Sequence, residues 1–335
     1  MSFFKTIKRP FSKLAYSLFS HAPASWERKF AILMDVLSSN VYLMRKMSPM
    51  ASDFLTIPDL KKTFPGLDEE SIATLRRFVA KLHFVSDATH LYSAPRYSFL
   101  WSGLCTQAEY DEALANQTRL EELRLHYHLQ SAEFPSLIYH HGITSLPEKI
   151  LAYLQDTVFI DAGAYQGDST LAFLQYKPCL VWAFEPSPPN QELFRSTMRN
   201  NQVPDSSVKL MPQGLSDKHG TICFDAKAAS GCSLDGKGTT KAELIPLDSL
   251  TPPTRIGLIK ADLEGMGLSM LRGAVQTIQR DKPVLSLSIY HNTDELLNTY
   301  SFVRDLGLPY QYKILSLCPP WENHELTLLA WPMGV

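Results

Sequence analysis

Asp161-Ala-Gly-Ala-Tyr-Gln-Gly167 places a carboxylate and two glycines between the apolar run Thr157-Val-Phe-Ile160 and Asp168-Ser-Thr-Leu-Ala-Phe. Strand, glycine loop and helix in that order build a shelf of nucleotide size. Gly163 and Gly167 let the backbone turn sharply and approach a ligand that a Cβ would exclude, and the helix start presents unpaired N–H groups. Gly163, Ala164, Gly167, Asp168 and Ser169 are therefore expected to line the shelf. Asp161, at the strand end, is expected to carry a negative charge into the cleft, which repels a diphosphate and attracts a positively charged cofactor. About 24 residues further on, Phe184-Glu-Pro-Ser187 puts Glu185 where a carboxylate accepts hydrogen bonds from both hydroxyls of a ribose, with Pro186 and Ser187 beside it. In Met211-Pro-Gln-Gly-Leu-Ser-Asp217 the expected adenine neighbours are Gly214 and Leu215, with Gln213 and Ser216 in reach of the polar edge.

A second set of residues is suited to proton transfer and positioning. Asp262 and Glu264 follow the apolar Ile256-Gly-Leu-Ile, and Tyr290-His-Asn292 follows Val284-Leu-Ser-Leu-Ser-Ile. His291 titrates near neutral pH and is the expected general base, with a hydrogen-bonded structural histidine as the alternative. Asp262 is expected to orient a cofactor amine or an acceptor hydroxyl. Glu264 either joins the chemistry or caps the next helix, where an acid is stabilising in any case. Lys260 is expected to reach across the sheet to a carboxylate. Tyr139-His-His-Gly142 is placed to fold over the pocket; adjacent histidines point in different directions, and no ligand spacing supports a metal.

These residues need a frame. From about residue 146, short apolar runs at 157–160, 180–184, 208–211, 256–259 and 284–289 alternate with helical stretches near 169–176, 189–200, 267–280 and 293–306, as in a parallel sheet covered by helices. Tyr310-Gln-Tyr-Lys-Ile-Leu-Ser-Leu and Leu326-Thr-Leu-Leu-Ala-Trp then follow with no helix between them, so they should pair antiparallel. This α/β pattern resembles the class I methyltransferase fold, a Rossmann-like, mostly parallel sheet with a C-terminal antiparallel hairpin. Residues 1–145 read as a mainly helical N-terminal region that selects substrate, closes the pocket or contacts a partner, and 146–335 as the cofactor domain. Phe30-Ala-Ile-Leu-Met-Asp-Val-Leu and Leu43-Met-Arg-Lys-Met have the apolar density of buried helices, and 109–129 that of a helix with Glu121, Glu122 and Arg124 on its wet face. The Gly-Ser-Lys-rich stretch at 221–246 is either a lid or a flexible hairpin.

Asp161-Ala-Gly-Ala-Tyr-Gln-Gly-Asp-Ser-Thr, Phe184-Glu-Pro, Gly214-Leu-Ser-Asp, Leu247-Asp-Ser-Leu, Ile259-Lys-Ala-Asp-Leu-Glu-Gly and Leu271-Arg-Gly-Ala, in that order, resemble the FkbM-type methyltransferases over about 139–315. The resemblance implies transfer of a methyl group from S-adenosylmethionine, commonly to a hydroxyl of a small metabolite, sugar or polyketide. Two positions depart from the family pattern. Tyr165 stands where many methyltransferases have a glycine, and Asp262-Leu-Glu-Gly-Met-Gly267 lacks the acid that usually closes this run.

Composition bounds the rest. With 335 residues and 45% of them hydrophobic, the chain can bury a full core. Lys plus Arg (32) nearly balances Asp plus Glu (34), so there is no general attraction to nucleic acid; the expected partner is a small methyl acceptor. Cys105, Cys179, Cys223, Cys232 and Cys318 are scattered and odd in number, which fits a reducing, cytoplasmic setting rather than a disulfide framework. No apolar stretch is long enough to span a membrane, and the basic, apolar-interleaved N-terminus reads as an amphipathic helix, a frayed tail or a membrane-surface contact. Two competing readings share parts of this pattern: a nicotinamide-dependent oxidoreductase with the same glycine loop, and a noncatalytic scaffold whose cofactor domain is vestigial.

Overall fold

The computed structural model describes residues 59–87, 105–131, 135–224, 239–320 and 324–335. The helices expected at 30–37 and 43–47, the basic N-terminus and most of the 221–246 stretch lie outside the described residues.

Leu60–Thr63 (α1), Glu69–Asp87 (α2) and Gln107–His126 (α3) precede the sheet. Asp68 caps α2 by accepting the Ser71 N–H at 2.7 Å, and Thr106 with Glu109 closes a reciprocal capping box on α3. After a 3-10 segment, His140–Ser145, come Glu148–Leu154 (α4), Val158–Ala162 (β1), Asp168–Leu174 (α5), Leu180–Phe184 (β2), Pro188–Asn200 (α6) and Val208–Met211 (β3). Gly214–Leu215 (β4), Gly220–Phe224 (β5) and Thr240–Ile245 (β6) form a separate small sheet in the order β4-β6-β5. Ile256–Ala261 (β7), Gly267–Arg272 (α7), Val275–Asp281 (α8), Val284–Ser288 (β8), Thr293–Asp305 (α9), Tyr310–Ser316 (β9) and Leu326–Pro332 (β10) complete the chain.

The main sheet has seven strands in the order β3-β2-β1-β7-β8-β10-β9. Its first five are parallel, and β10 runs antiparallel to both β8 and β9. This is the class I methyltransferase arrangement. Central strands β1 and β7 are buried along their whole length, so they read in sequence as continuous apolar runs. Strand order reverses between β1 and β7, which opens a crevice at their carboxyl ends. Their register pairs Asp161 with Lys260 and Ala162 with Ala261, setting the glycine loop beside Asp262.

The described part of the N-terminal region packs onto this sheet. Phe64, Ile72, Leu75, Phe78 and Val79 share one buried cluster with Ile160, Phe184, Ile314 and Tyr300. Ser71 Oγ accepts the Ile314 N–H at 2.9 Å. On the other face, Ile143, Ile150 and Leu154 pack on Phe159, Phe173 and Leu258.

Two local features depart from the sequence reading. The helix expected over 267–280 is broken at Gly273-Ala274, where the chain passes so close to Ser216 that a Cβ on residue 273 would sit 2.0 Å from its carbonyl oxygen and only glycine fits. The second half, α8, is capped from outside by Asp248, which accepts the Gln276 and Thr277 N–H groups. The ends of the 221–246 stretch form antiparallel strands β5 and β6; the lid reading concerns 225–238, outside the described residues.

Candidate active site

Asp161, Gly163, Ala164, Gly167, Asp168, Ser169, Glu185, Pro186, Ser187, Asp262, Glu264 and His291 all gather at the carboxyl ends of β1, β2, β7 and β8. Gly214 is near Pro186, since a Cβ added to it would come within 4.0 Å of that ring. The Leu215 side chain is 1% exposed and belongs to the core. Gln213 is held by Glu243, and Ser216 by Ser269 and Asp217.

Asp161 does not carry its charge outward as expected. It is fully buried; Ser169 and Thr170 of α5 donate to its Oδ2 at 2.7 and 2.6 Å, and Lys260 Nζ stands 3.3 Å from Oδ1. The contact with Asp161 is the reach across the sheet to a carboxylate expected of Lys260, which also donates to the Gly163 carbonyl at 2.8 Å. Burial works against the Lys260 charge, but Asp161, Asp262 and Asp168 together raise its proton affinity above the ordinary lysine range. Asp161 thus ties β1, α5 and the glycine loop into one unit.

The two glycines serve packing rather than ligand approach alone. Both have left-handed backbones, with φ 80 at Gly163 and 88 at Gly167. A Cβ on Gly163 would stand 2.0 Å from the Asp262 carbonyl, and one on Gly167 would press on Met198 and Phe194. Tyr165, the departure from the family pattern, is also left-handed, and its N–H donates to Glu185 Oε2 at 2.9 Å. Ser187 N–H donates to the other oxygen at 2.8 Å, so Glu185 links loop and strand while standing at the end of β2. Burial pushes the Glu185 carboxyl up, partly offset by these hydrogen bonds.

The expected base is placed differently from a base. His291 Nε2 is 3.0 Å from Asp262 Oδ1, and Nδ1 is 3.0 Å from Glu295 Oε2. Burial opposes its charge, yet hydrogen bonds to the two carboxylates hold its proton affinity well above the ordinary histidine range. This placement between two carboxylates favours the protonated imidazolium at His291. Burial likewise opposes ionisation of Asp262, while His291 and Lys260 hold its carboxyl well below the usual range. Glu295, which the sequence reading missed, accepts the Gly267 N–H at 2.7 Å with its other oxygen, so it caps α7 in place of Glu264. Its spacing of four from His291 across a helix start was the available signal. Glu264 and Gly265 take left-handed conformations in the turn after β7.

Asp168 and residues outside the expected set shape the rest of the rim. Burial pushes the Asp168 carboxyl up to about 6; Lys260 lowers it, and Asp161 and Asp262 oppose ionisation. Glu325, at the entry to β10, is left-handed, buried and hydrogen-bonded by the Tyr290 hydroxyl at 3.0 Å, and burial beside Asp262 raises it to about 7. The Tyr290 ring lies 4.2 Å from the His291 ring. His141, in the 3-10 segment, is buried, and its carbonyl accepts the Ser286 hydroxyl at 2.7 Å. No group of metal-ligating side chains is found among the described residues.

Residues 161–314 match the family model described as the methyltransferase FkbM domain. Among solved structures, the chain is similar to methyltransferase FkbM from Methylobacillus flagellatus KT, with 18% identity, a TM-score of 0.56 and coverage of 84% of this chain and 60% of that one. The chain therefore spans about 60% of that protein's length. A putative methyltransferase from Streptococcus mutans in complex with SAH matches at 15% identity and a TM-score of 0.35, over 55% of this chain and 96% of that one. An rRNA methylase from Streptococcus thermophilus matches at 14% and 0.39, over 60% and 98%. A search of the curated proteins returned no match.

Proposed function

We propose, on the premise that residues 161–314 form a methyltransferase FkbM domain, that this protein binds S-adenosylmethionine and methylates a hydroxyl of a small molecule. The observation that carries the reading is the buried Glu185 carboxylate at the end of β2, fastened to the glycine loop across the switch-point crevice. The residues present fit the cofactor. Glu185 keeps lone pairs for a ribose diol, Asp168 and Asp262 make the crevice acidic, and the loop from Gly163 to Gly167 enters a helix start. An acidic crevice favours a cation over the diphosphate of a nicotinamide cofactor.

When bound, the cofactor supplies an electrophilic methyl group. Asp262 is held by His291 and faces the crevice with a side chain 21% exposed, so it orients rather than accepts protons. The rim group matched to neutral pH is Glu325, whose carboxyl takes up a proton near pH 7 and stands on the β8–β10 side, away from the ribose end. We assign proton acceptance from the acceptor hydroxyl to Glu325, and to His291 the fixing of Asp262. A near-neutral net charge of −2 supports a small acceptor rather than nucleic acid. No helix among the described residues is long and apolar enough to cross a membrane, and scattered cysteines support a cytoplasmic setting.

Thermal melting with ligand tests the reading. S-adenosylhomocysteine at about a hundred times its Kd should stabilise the fold by about 2.7 kcal/mol, NADH should leave the melting point unchanged, and Glu185→Ala should abolish the shift. A shift with NADH alone would overturn it.

A further inference from the structure

The Tyr139-His-His-Gly142 segment is held in a strained form that the fold over-determines. His140 and His141 have φ of 44 and 53, and Gly142 follows at 89. Left-handed non-glycine residues in succession are costly and persist where surrounding contacts impose them. Here the Tyr139 hydroxyl is fixed by Asn116 and Glu112 of α3, His140 Nδ1 meets the Tyr176 hydroxyl at 2.7 Å, and Ser286 of β8 holds the His141 carbonyl. Gly142 is pressed on Leu315.

What this arrangement presents is one ring. His141 is 8% exposed, its ring meets Phe173 of α5 edge-on at 5.9 Å, and its Nε2 has no hydrogen-bond partner among the described residues. A buried polar atom left unpaired is unfavourable and rare in folded proteins. The charges acting on it are Lys260, Asp161, Asp262 and His140; the first three also act on Asp168 at the start of α5. Burial, reinforced by Lys260, pushes the imidazole down to about 4, so it is neutral at pH 7 and one nitrogen has a lone pair to offer.

We propose that His141 Nε2 accepts a hydrogen bond from the ammonium at the amino-acid end of the cofactor, an inference that rests on the reading of the crevice above. Asp168 and Asp262, the acids at the crevice, draw a cationic end to this corner. A neutral imidazole adds a directed acceptor without adding charge. The strained backbone, pinned by Ser286 through the His141 carbonyl, is the means by which the segment before β1 holds the imidazole in this buried place.

The test compares two probes on the full chain by calorimetry at pH 7.5: S-adenosylhomocysteine, and 5′-methylthioadenosine, which keeps the nucleoside and lacks the amino-acid end. His141→Asn, a residue that tolerates the left-handed backbone, should weaken S-adenosylhomocysteine about tenfold or more and leave methylthioadenosine within about twofold. Equal loss for both probes, or no loss for either, overturns the proposal. If the variant does not fold, the His141 imidazole resonance of the unsubstituted chain decides: it must move with S-adenosylhomocysteine and stay put with methylthioadenosine. Failure of the unsubstituted chain to bind either probe would sink the crevice reading as well, whereas binding of both with an unmoved His141 resonance sinks this inference alone.

Discussion

At the scale of single residues, protonation state separates histidines that composition makes equivalent. His291 lies between Asp262 and Glu295 and is cationic; His141 lies buried beside Lys260 and is neutral. For His291 the folded-state proton affinity is raised above the unfolded value. Its contribution to stability is therefore fully present below about pH 6.5 and is lost as pH rises through the higher folded-state value. Replacing it by glutamine leaves Asp262 and Glu295 without their shared cation and should cost about 3 kcal/mol at pH 6 in urea unfolding, with a smaller cost at pH 10. A cost that does not shrink with rising pH would show that His291 is not charged in the folded protein. The sequence placed His291 just beyond the strand that the structure shows as β8. Its partner Glu295 was not singled out, because a glutamate in the first turn of a helix reads equally well as a solvated charge.

At the scale of elements, the loop after β1 is shaped by its neighbours. Gly163 is left-handed and abuts the Asp262 carbonyl, so alanine there adds backbone strain to a steric clash with main chain that cannot swing aside. Gly163→Ala should destabilise the protein by about 3 kcal/mol, measured by urea unfolding, and should weaken S-adenosylhomocysteine binding because β1 and β7 are pushed apart at the crevice. Full stability in that variant would contradict the close approach. The alternation of strands and helices from β1 to α9 follows from apolar runs and their spacing. The break between α7 and α8 does not, since Gly273 owes its place to a carbonyl on Ser216, far away in sequence. The two-residue strand β4 carries no periodicity to detect.

At the scale of the molecule, the near balance of charge conceals a local excess of acid. Asp161, Asp168, Asp262 and Glu295 face Lys260 and His291 at one rim of the sheet. Because Asp168 holds its proton up to about pH 6, a cationic ligand should bind more weakly below that pH, and the part of the affinity that Asp168 supplies should level off above it. Calorimetry with S-adenosylmethionine from pH 5 to 8 should show this rise, and Asp168→Asn should flatten it. A rise that survives the substitution would assign it to another group. The N-terminal helices take part in the same body: α2 buries Leu75 and Phe78 in the sheet's core, and α3 braces the 3-10 segment through Tyr139.

The order of strands and helices, the antiparallel end of the sheet and the acidic, glycine-bearing crevice were all legible in the sequence, because they rest on local periodicity and on residue types at fixed separations. The direction in which each charge points was decided only by the tertiary structure. Asp161 is turned inward by Lys260, a residue 99 positions away that register places opposite it. The expected base is clamped between Asp262 and an acid from the next helix, which together raise its proton affinity. The carboxyl matched to neutral pH, Glu325, comes from a segment beyond 161–314 that pattern alone does not connect to the site, and although the sequence placed the His141 segment over the pocket, it did not show that one imidazole nitrogen there is left unpaired. Proton affinity depends on burial and on charges brought close in space, and neither is a property of neighbours along the chain.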